Sequence, residues 1–307
     1  MAGLSGDRLS GTAYGLAAAL AWGGFSVVTR LSVGYSALDM YDVTFLRFAV
    51  SAIILLPVLL RGGFAGISPL AIAVLVIGIG PPYMLAVSGG LELAPVGLFA
   101  VLTPGSMILF SVILSAVWLK TRPSGRDWLG IAVILVGIVL AGLHDLKGVS
   151  ENGAATALLV LGGFLWALYT VSTRHFAIGA LRATAFVSAV SALLYAPVYF
   201  SMKGTAILAA PVGEIAIQAV YQGVLLSAVA LFFFNRSVAL LGSTTGASFA
   251  ALVPGLAVVE AFTFLGEQPT TIAVAGLAIV TAGMVIILVR PRQKAIREPQ
   301  AQRTAEA

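Results

Sequence analysis

The chain is written twice. Trp22-x4-Val27-x-Thr29-Arg30 recurs as Trp166-x4-Val171-x-Thr173-Arg174, and Ala49-Val-Ser-Ala52 with Pro57-Val58 recurs as Ala189-Val-Ser-Ala192 with Pro197-Val198. Phe99-Ala-x-Leu-x-Pro-Gly105 recurs as Phe249-Ala-x-Leu-x-Pro-Gly255, and Pro123, Gly130, Ala132 and Gly137 recur as Pro269, Gly276, Ala278 and Gly283. The matches keep their order and nearly their register. That is the mark of a duplicated unit, and it restricts the fold to two copies of one architecture.

Composition fixes the solvent of that architecture. The chain is 60% hydrophobic and 9% charged, against roughly 25% charged in an average soluble domain. Its mean hydropathy is +1.05. Too few polar residues remain to cover a water-facing surface, so the chain belongs in a bilayer. Cysteine is absent, which excludes disulfides, thiolate metal sites and a thiol nucleophile. The net charge of +5 does not point to nucleic acid, because the basic residues lie mainly in short loops and the tail.

Spans of roughly 17–25 apolar residues are needed to cross a bilayer. Ten such stretches are legible: 11–29, 44–60, 69–90, 95–119, 128–143, 154–172, 183–202, 215–240, 244–265 and 272–289. The expected organisation is a polar segment 1–10, a five-helix repeat over 11–143, a connecting loop 144–153, a second five-helix repeat over 154–289 and a disordered tail 290–307. Ten spans put both termini on one side. Of the 17 basic residues only Arg30, Arg47, Lys147 and Lys203 then fall on the other, so the positive-inside rule places both termini in the cytoplasm. Five helices per copy is an odd number, so the second copy enters the membrane from the opposite side. Inverted repeats of this kind suit alternating access around a site near the midplane.

Two five-helix repeats, each with a mid-helix Trp in its first helix and a Pro in its fourth, resemble the paired EamA domains of the drug/metabolite transporter superfamily. The second copy adds Leu265-Gly266-Glu267 and a Gly-spaced last helix, where the first has Lys120-Thr121. Within the superfamily the chain is most similar to the bacterial YddG-type exporters of aromatic and other amino acids. The resemblance implies an all-α, multi-pass protein of a bacterial inner membrane that exports amino acids and needs no cofactor.

Candidate residues follow from depth and pairing. Trp22 and Trp166 lie near the middle of their helices, too deep for interfacial anchors. They serve either as helix packing or as an aromatic cavity wall, with Phe25 and Tyr169 close by. Gly78-Ile-Gly80-Pro81-Pro82-Tyr83 interrupts the third helix, since Pro removes a donor and disfavours helix before it. Tyr83 then offers a hydroxyl, and freed backbone is tolerated where it lines a cavity. The eighth helix carries Tyr221-Gln222, Ser227 and Asn235 as polar candidates. Pro104 and Pro254 stand at matched places as kinks or hinges. Intramembrane charges are costly. Arg30, Arg47 and Arg174 read as residues that snorkel to the headgroups. Glu260 is open to a proton-coupling role, to pairing with a substrate amine, or to a structural ion pair.

The rivals are a proton-coupled multidrug or organic cation exporter, a phosphorylated-sugar carrier and an intramembrane enzyme. The first wants a deep carboxylate, and only Glu260 serves. The second wants a basic cavity, and the third a convergent set of catalytic groups; neither pattern is present. No phosphate-binding Gly-x4-Gly-Lys-Ser/Thr loop occurs. The 34 glycines suit helix packing within or between chains and do not distinguish a monomer from an oligomer.

Overall fold

The computed structural model describes residues 2–62, 64, 66–145, 149–242 and 249–288. Among them every regular element is a helix. The first repeat contains α1 (Ala2–Tyr35), α2 (Met40–Gly62), α3 (Pro69–Ile79), α4 (Pro81–Leu93), α5 (Val96–Trp118) and α6 (Gly125–Asp145). The second contains α7 (Val149–His175), α8 (Ala180–Lys203), α9 (Val212–Gln218), a π-helix (Ala219–Val229) and α10 (Ala230–Leu241). It ends with a 3₁₀ turn (Phe249–Leu252), α11 (Val253–Leu265) and α12 (Thr271–Leu288). Among the described residues, seven of the helical rods are long and apolar enough to cross a membrane, and two shorter apolar helices follow over Phe249–Leu265 and Thr271–Ile287.

Several boundaries differ from expectation. The first helix runs back to Ala2, because no proline interrupts 2–10 and Thr12 Oγ1 donates to the Arg8 carbonyl at 2.9 Å. The connector expected as a loop over 144–153 is helical on both sides of 146–148, which lie outside the described residues. The tail 290–307 and the first residues of the ninth stretch, 244–248, also lie outside them.

Proline chemistry sets the break in the third rod. Ser68 caps α3 by accepting from the Ala71 N–H at 3.2 Å, with Pro69 opening the first turn. The helix stops at Ile79. Pro81 has no N–H and its ring disfavours helical geometry at Gly80, which takes φ −81° and ψ −151°. α4 starts afresh at Pro81. The matched rod in the second repeat has no proline, and it widens into the π-helix instead.

The two repeats interlock reciprocally. α1 packs on α10 and α11, while α7 packs on α3, α4 and α5; α2 pairs with α8, and α6 with α12. The first helix of each repeat thus sits against the third and fourth rods of the other. The glycines matched in the sequence make the last pairing. A Cβ on Gly130 would lie 3.0 Å from the Gly283 carbonyl, and one on Gly137 2.9 Å from the Gly276 carbonyl. Backbones this close need glycine on the facing surfaces.

Candidate functional site

The site is built on one turn of α1. Gly23 and Gly24 form a shelf without side chains, and two groups of the second repeat settle on it. A Cβ on Gly24 would lie 2.1 Å from the Tyr221 hydroxyl oxygen and 2.8 Å from Glu260 Oε2; one on Gly23 would lie 3.3 Å from Glu260 Oε1. The Tyr221 hydroxyl donates to the Ala21 carbonyl at 2.9 Å. Among the described residues no basic side chain pairs with Glu260.

The next residue, Phe25, is buried and faces a second charge. The Arg47 guanidinium lies over its ring at 5.4 Å. Arg47 Nη1 donates to Gln222 Oε1 at 2.8 Å, Gln222 Nε2 donates to Thr29 Oγ1 at 2.9 Å, and Thr29 Oγ1 donates to the Phe25 carbonyl at 2.7 Å. Arg47 was expected at the headgroups; it turns into the bundle because Gln222 of the π-helix offers an acceptor there. Sequence reasoning named this residue but gave it the wrong surroundings. The available signal was the repeat itself, since the matching position is Val187.

Tyr83 is buried, lies within electrostatic reach of Arg47 and meets Trp166 edge-on at 5.7 Å between ring centres. Trp22 packs on Phe234 at 5.1 Å. Each Trp therefore touches the third rod of the opposite repeat, and the two occupy separate contacts. Ser51 and Ser227 bring their hydroxyls within 2.5 Å. Ser51 also lies 3.2 Å from the Gly223 carbonyl and Ser227 3.0 Å from that of Gln222. They serve π-helix carbonyls that ordinary α-helical bonding would have used. The repeat mate of Ser51 is Ser191, whose hydroxyl faces Gly80 at the break between α3 and α4. Matched serines thus meet the irregular rod of the other repeat.

Other candidates fall elsewhere. Tyr169 joins the apolar cluster of Leu75, Phe186 and Val187, its backbone against Gly78. Asn235 is exposed on α10, because the inward face there is set by Ala230 and Ser237. Pro104 is buried within α5. Pro254, expected as a mid-helix kink, instead occupies the first turn of α11 after the 3₁₀ turn, where its missing N–H leaves no bond unmade. Pro81 and Pro82 open α4 and bring no amide to that helix end.

One end of the bundle is tied by charge. Arg30 Nε donates to Glu267 Oε1 at 3.3 Å, and its Nη1 bonds the carbonyls of Leu91 and Glu92 at the end of α4. The Val96 amide donates to Glu267 Oε2 at 2.8 Å. Lys203 pairs with Asp39, and the Tyr199 hydroxyl donates to Asp42 Oδ1 at 2.5 Å. Burial pushes the Asp39 carboxyl upward, but its bonds with Lys203 and Asp42 outweigh that and hold it below the ordinary value. A cavity of 240 Å³ beside Glu267 is lined by Pro95, Leu98, Val258 and Pro269 among others.

Residues 9–143 and 154–289 each match the model of the EamA-like transporter family. The chain belongs to that family. EamA-type proteins are multi-pass membrane transporters of small molecules, and the two matched segments contain the two interlocked halves described above. A relative from Streptantibioticus cattleyicolor, described as a probable terminal-alkyne amino-acid exporter, is 30% identical over 182 residues. That match spans 58% of this chain and 60% of the relative. A solved crystal structure shares the fold, with a TM-score of 0.58 and 23% identity over 91% of this chain and 96% of its own.

Proposed function

We propose that this EamA-type transporter exports neutral amino acids, aromatic ones included, by alternating access. The observation that carries the reading is the seam at α1. Phe25, Tyr83 and Trp166 bring aromatic surface from three helices and both repeats to a place that also holds hydroxyls, an amide and ionic groups. Such a place suits a small amphiphile with an apolar side chain and a polar head. The relative described as an exporter of an amino acid supports the substrate class. In this reading ten spans form two inverted repeats, 11–143 and 154–289, with both termini in the cytoplasm of a bacterial plasma membrane. Pro81, Pro82 and Pro104 mark where the rods flex, and Trp22, Tyr221 and Ser227 complete the seam.

One observation favours a second reading. Glu260 is a half-buried carboxylate without a basic partner among the described residues, which suits proton-coupled export of an organic cation.

Counterflow in proteoliposomes separates the two. Vesicles loaded with unlabelled Phe, Trp, Thr or Met are expected to take up the labelled amino acid without a pH gradient. Glu260→Gln is expected to keep that exchange and to lose any acceleration by a proton gradient. No exchange of any amino acid, with pH-driven movement of a cation, would give the second reading the field.

A further inference from the structure

Arg47 has the chemistry of a carboxylate receptor. It stands two turns into α2, yet its guanidinium lies in the bundle, over Phe25 and bonded to Gln222. A guanidinium carries five N–H donors in a rigid fork, and Gln222 engages one nitrogen. No carboxylate of the described residues pairs with Arg47, whose residue as a whole keeps partial exposure. A cation at membrane depth without a counter-charge is costly, and such residues mark substrate paths.

We propose that Arg47 recognises the α-carboxylate of the transported amino acid. This deepens the amino acid reading above and rests on it. The planar fork matches a carboxylate through two parallel bonds, which an ammonium does not reproduce. Gln222 and Thr29 act as positioning residues. The Gln222 amide gives its N–H to Thr29, which turns its oxygen toward Arg47 and aims the remaining donors away from the π-helix. Phe25 lies against the guanidinium, and Tyr83 with Trp166 belongs to the same apolar cluster, so an apolar side chain has aromatic surface nearby while its carboxylate meets the guanidinium. Packing does not demand an arginine here. The equivalent position of the second repeat is Val187, which is buried in an otherwise similar helix.

The test is competition in counterflow with the full-length protein, using labelled Phe against unlabelled Phe, phenylalanine amide and phenethylamine. Wild type is expected to prefer Phe over its amide by about 10- to 100-fold, the range for a charge-assisted bond. Arg47→Gln is expected to erase that preference, and Arg47→Lys to keep part of it. Gln222→Glu changes little volume and supplies an internal carboxylate, so it is expected to weaken competition by Phe and leave that by the amide unchanged. Thermal unfolding of each variant establishes that it is folded; if Arg47→Gln is not, Gln222→Glu decides. Wild type that exchanges Phe, beside Arg47→Gln or Gln222→Glu retaining the full preference, would overturn the anchor and leave the exporter reading intact. Wild-type vesicles that exchange no amino acid would overturn both.

Discussion

α1 and α7 occupy equivalent cradles and carry opposite chemistry. Each is the first helix of its repeat, and each lies against the third and fourth rods of the other. Around α1 the neighbours are charged or polar: Glu260 and Tyr221 on the glycine shelf, Arg47 and Gln222 beside Phe25. Around α7 the mates of the two charged residues are apolar. Phe110, the repeat mate of Glu260, meets Phe164 edge-on at 5.3 Å; Val187, the mate of Arg47, is buried; Trp166 meets Tyr83. Reciprocal packing needs only matched shapes, so duplication preserved the scaffold while leaving the chemistry of each cradle free to differ. A two-ended substrate asks for such a difference, with a polar side for its head and an apolar side for its tail.

The comparison is broken most sharply at the glycines. A Cβ on Gly163 of α7 would meet Ser106 Oγ at 2.0 Å and the backbone of Thr103 and Met107 at 2.6 and 2.9 Å. Backbone cannot move aside cheaply, so Gly163→Ala is expected to cost stability, by about 1–3 kcal/mol as for other overpacked sites. Gly24→Ala meets the tips of two side chains, which can swing away. It is expected to fold with a near-wild-type melting temperature and to slow counterflow by about tenfold or more, since a 1 Å misplacement is costly in a functional site. Equal melting temperatures for the two variants would show that the cradles do not differ in this way.

The tryptophans sharpen it next. Trp166→Ala opens the apolar side and is expected to shift preference from aromatic toward smaller amino acids by about tenfold, within the 1–3 kcal/mol an apolar pocket supplies. Trp22→Ala removes a ring that rests on Phe234, and a smaller shift is expected. Competition by Trp, Phe, Met and Thr in counterflow reads the difference, and unchanged preference in both variants would make the pair packing alone.

The smallest effect belongs to the charged end. Asp39 has a depressed pKa in the fold, so its contribution is present above its ordinary value of 3.8 and is lost as pH falls below that value. Asp39→Asn is therefore expected to lower the melting temperature slightly at neutral pH and to make no difference in strong acid. A scan of melting temperature against pH for the two proteins checks it; a constant gap at all pH values would assign the effect to packing. Exposed pairs of this type contribute little, which places it last.

The break before Pro81 was legible because it follows from covalent chemistry: a missing N–H and a ring clash act wherever the chain goes. The glycine spacing of α6 and α12 was legible for a related reason, since only glycine allows backbones to touch. The π-helix was not. Its carbonyls are met by its own Ser227 and by Ser51, and nothing local announces a widened turn that takes one of its partners from a helix far away in sequence. Pro254 looked like a kink because the switch from 3₁₀ to α-helix just ahead of it leaves no local trace. Asn235 and Arg47 were misjudged in opposite directions, one expected inside and found exposed, the other expected at the headgroups and found inside.

Sequence by itself determined that the chain is helical, membrane-borne and built from two copies of one unit, because hydropathy, proline and repetition are properties of the chain alone. Only the tertiary structure decided which way each helix faces. A helix that is apolar nearly all round has no polar stripe to orient it, so its rotation is set by the neighbours it meets. That is why the charges of Arg47 and Glu260 could be counted along the chain, while their gathering on one turn of α1 waited for the fold.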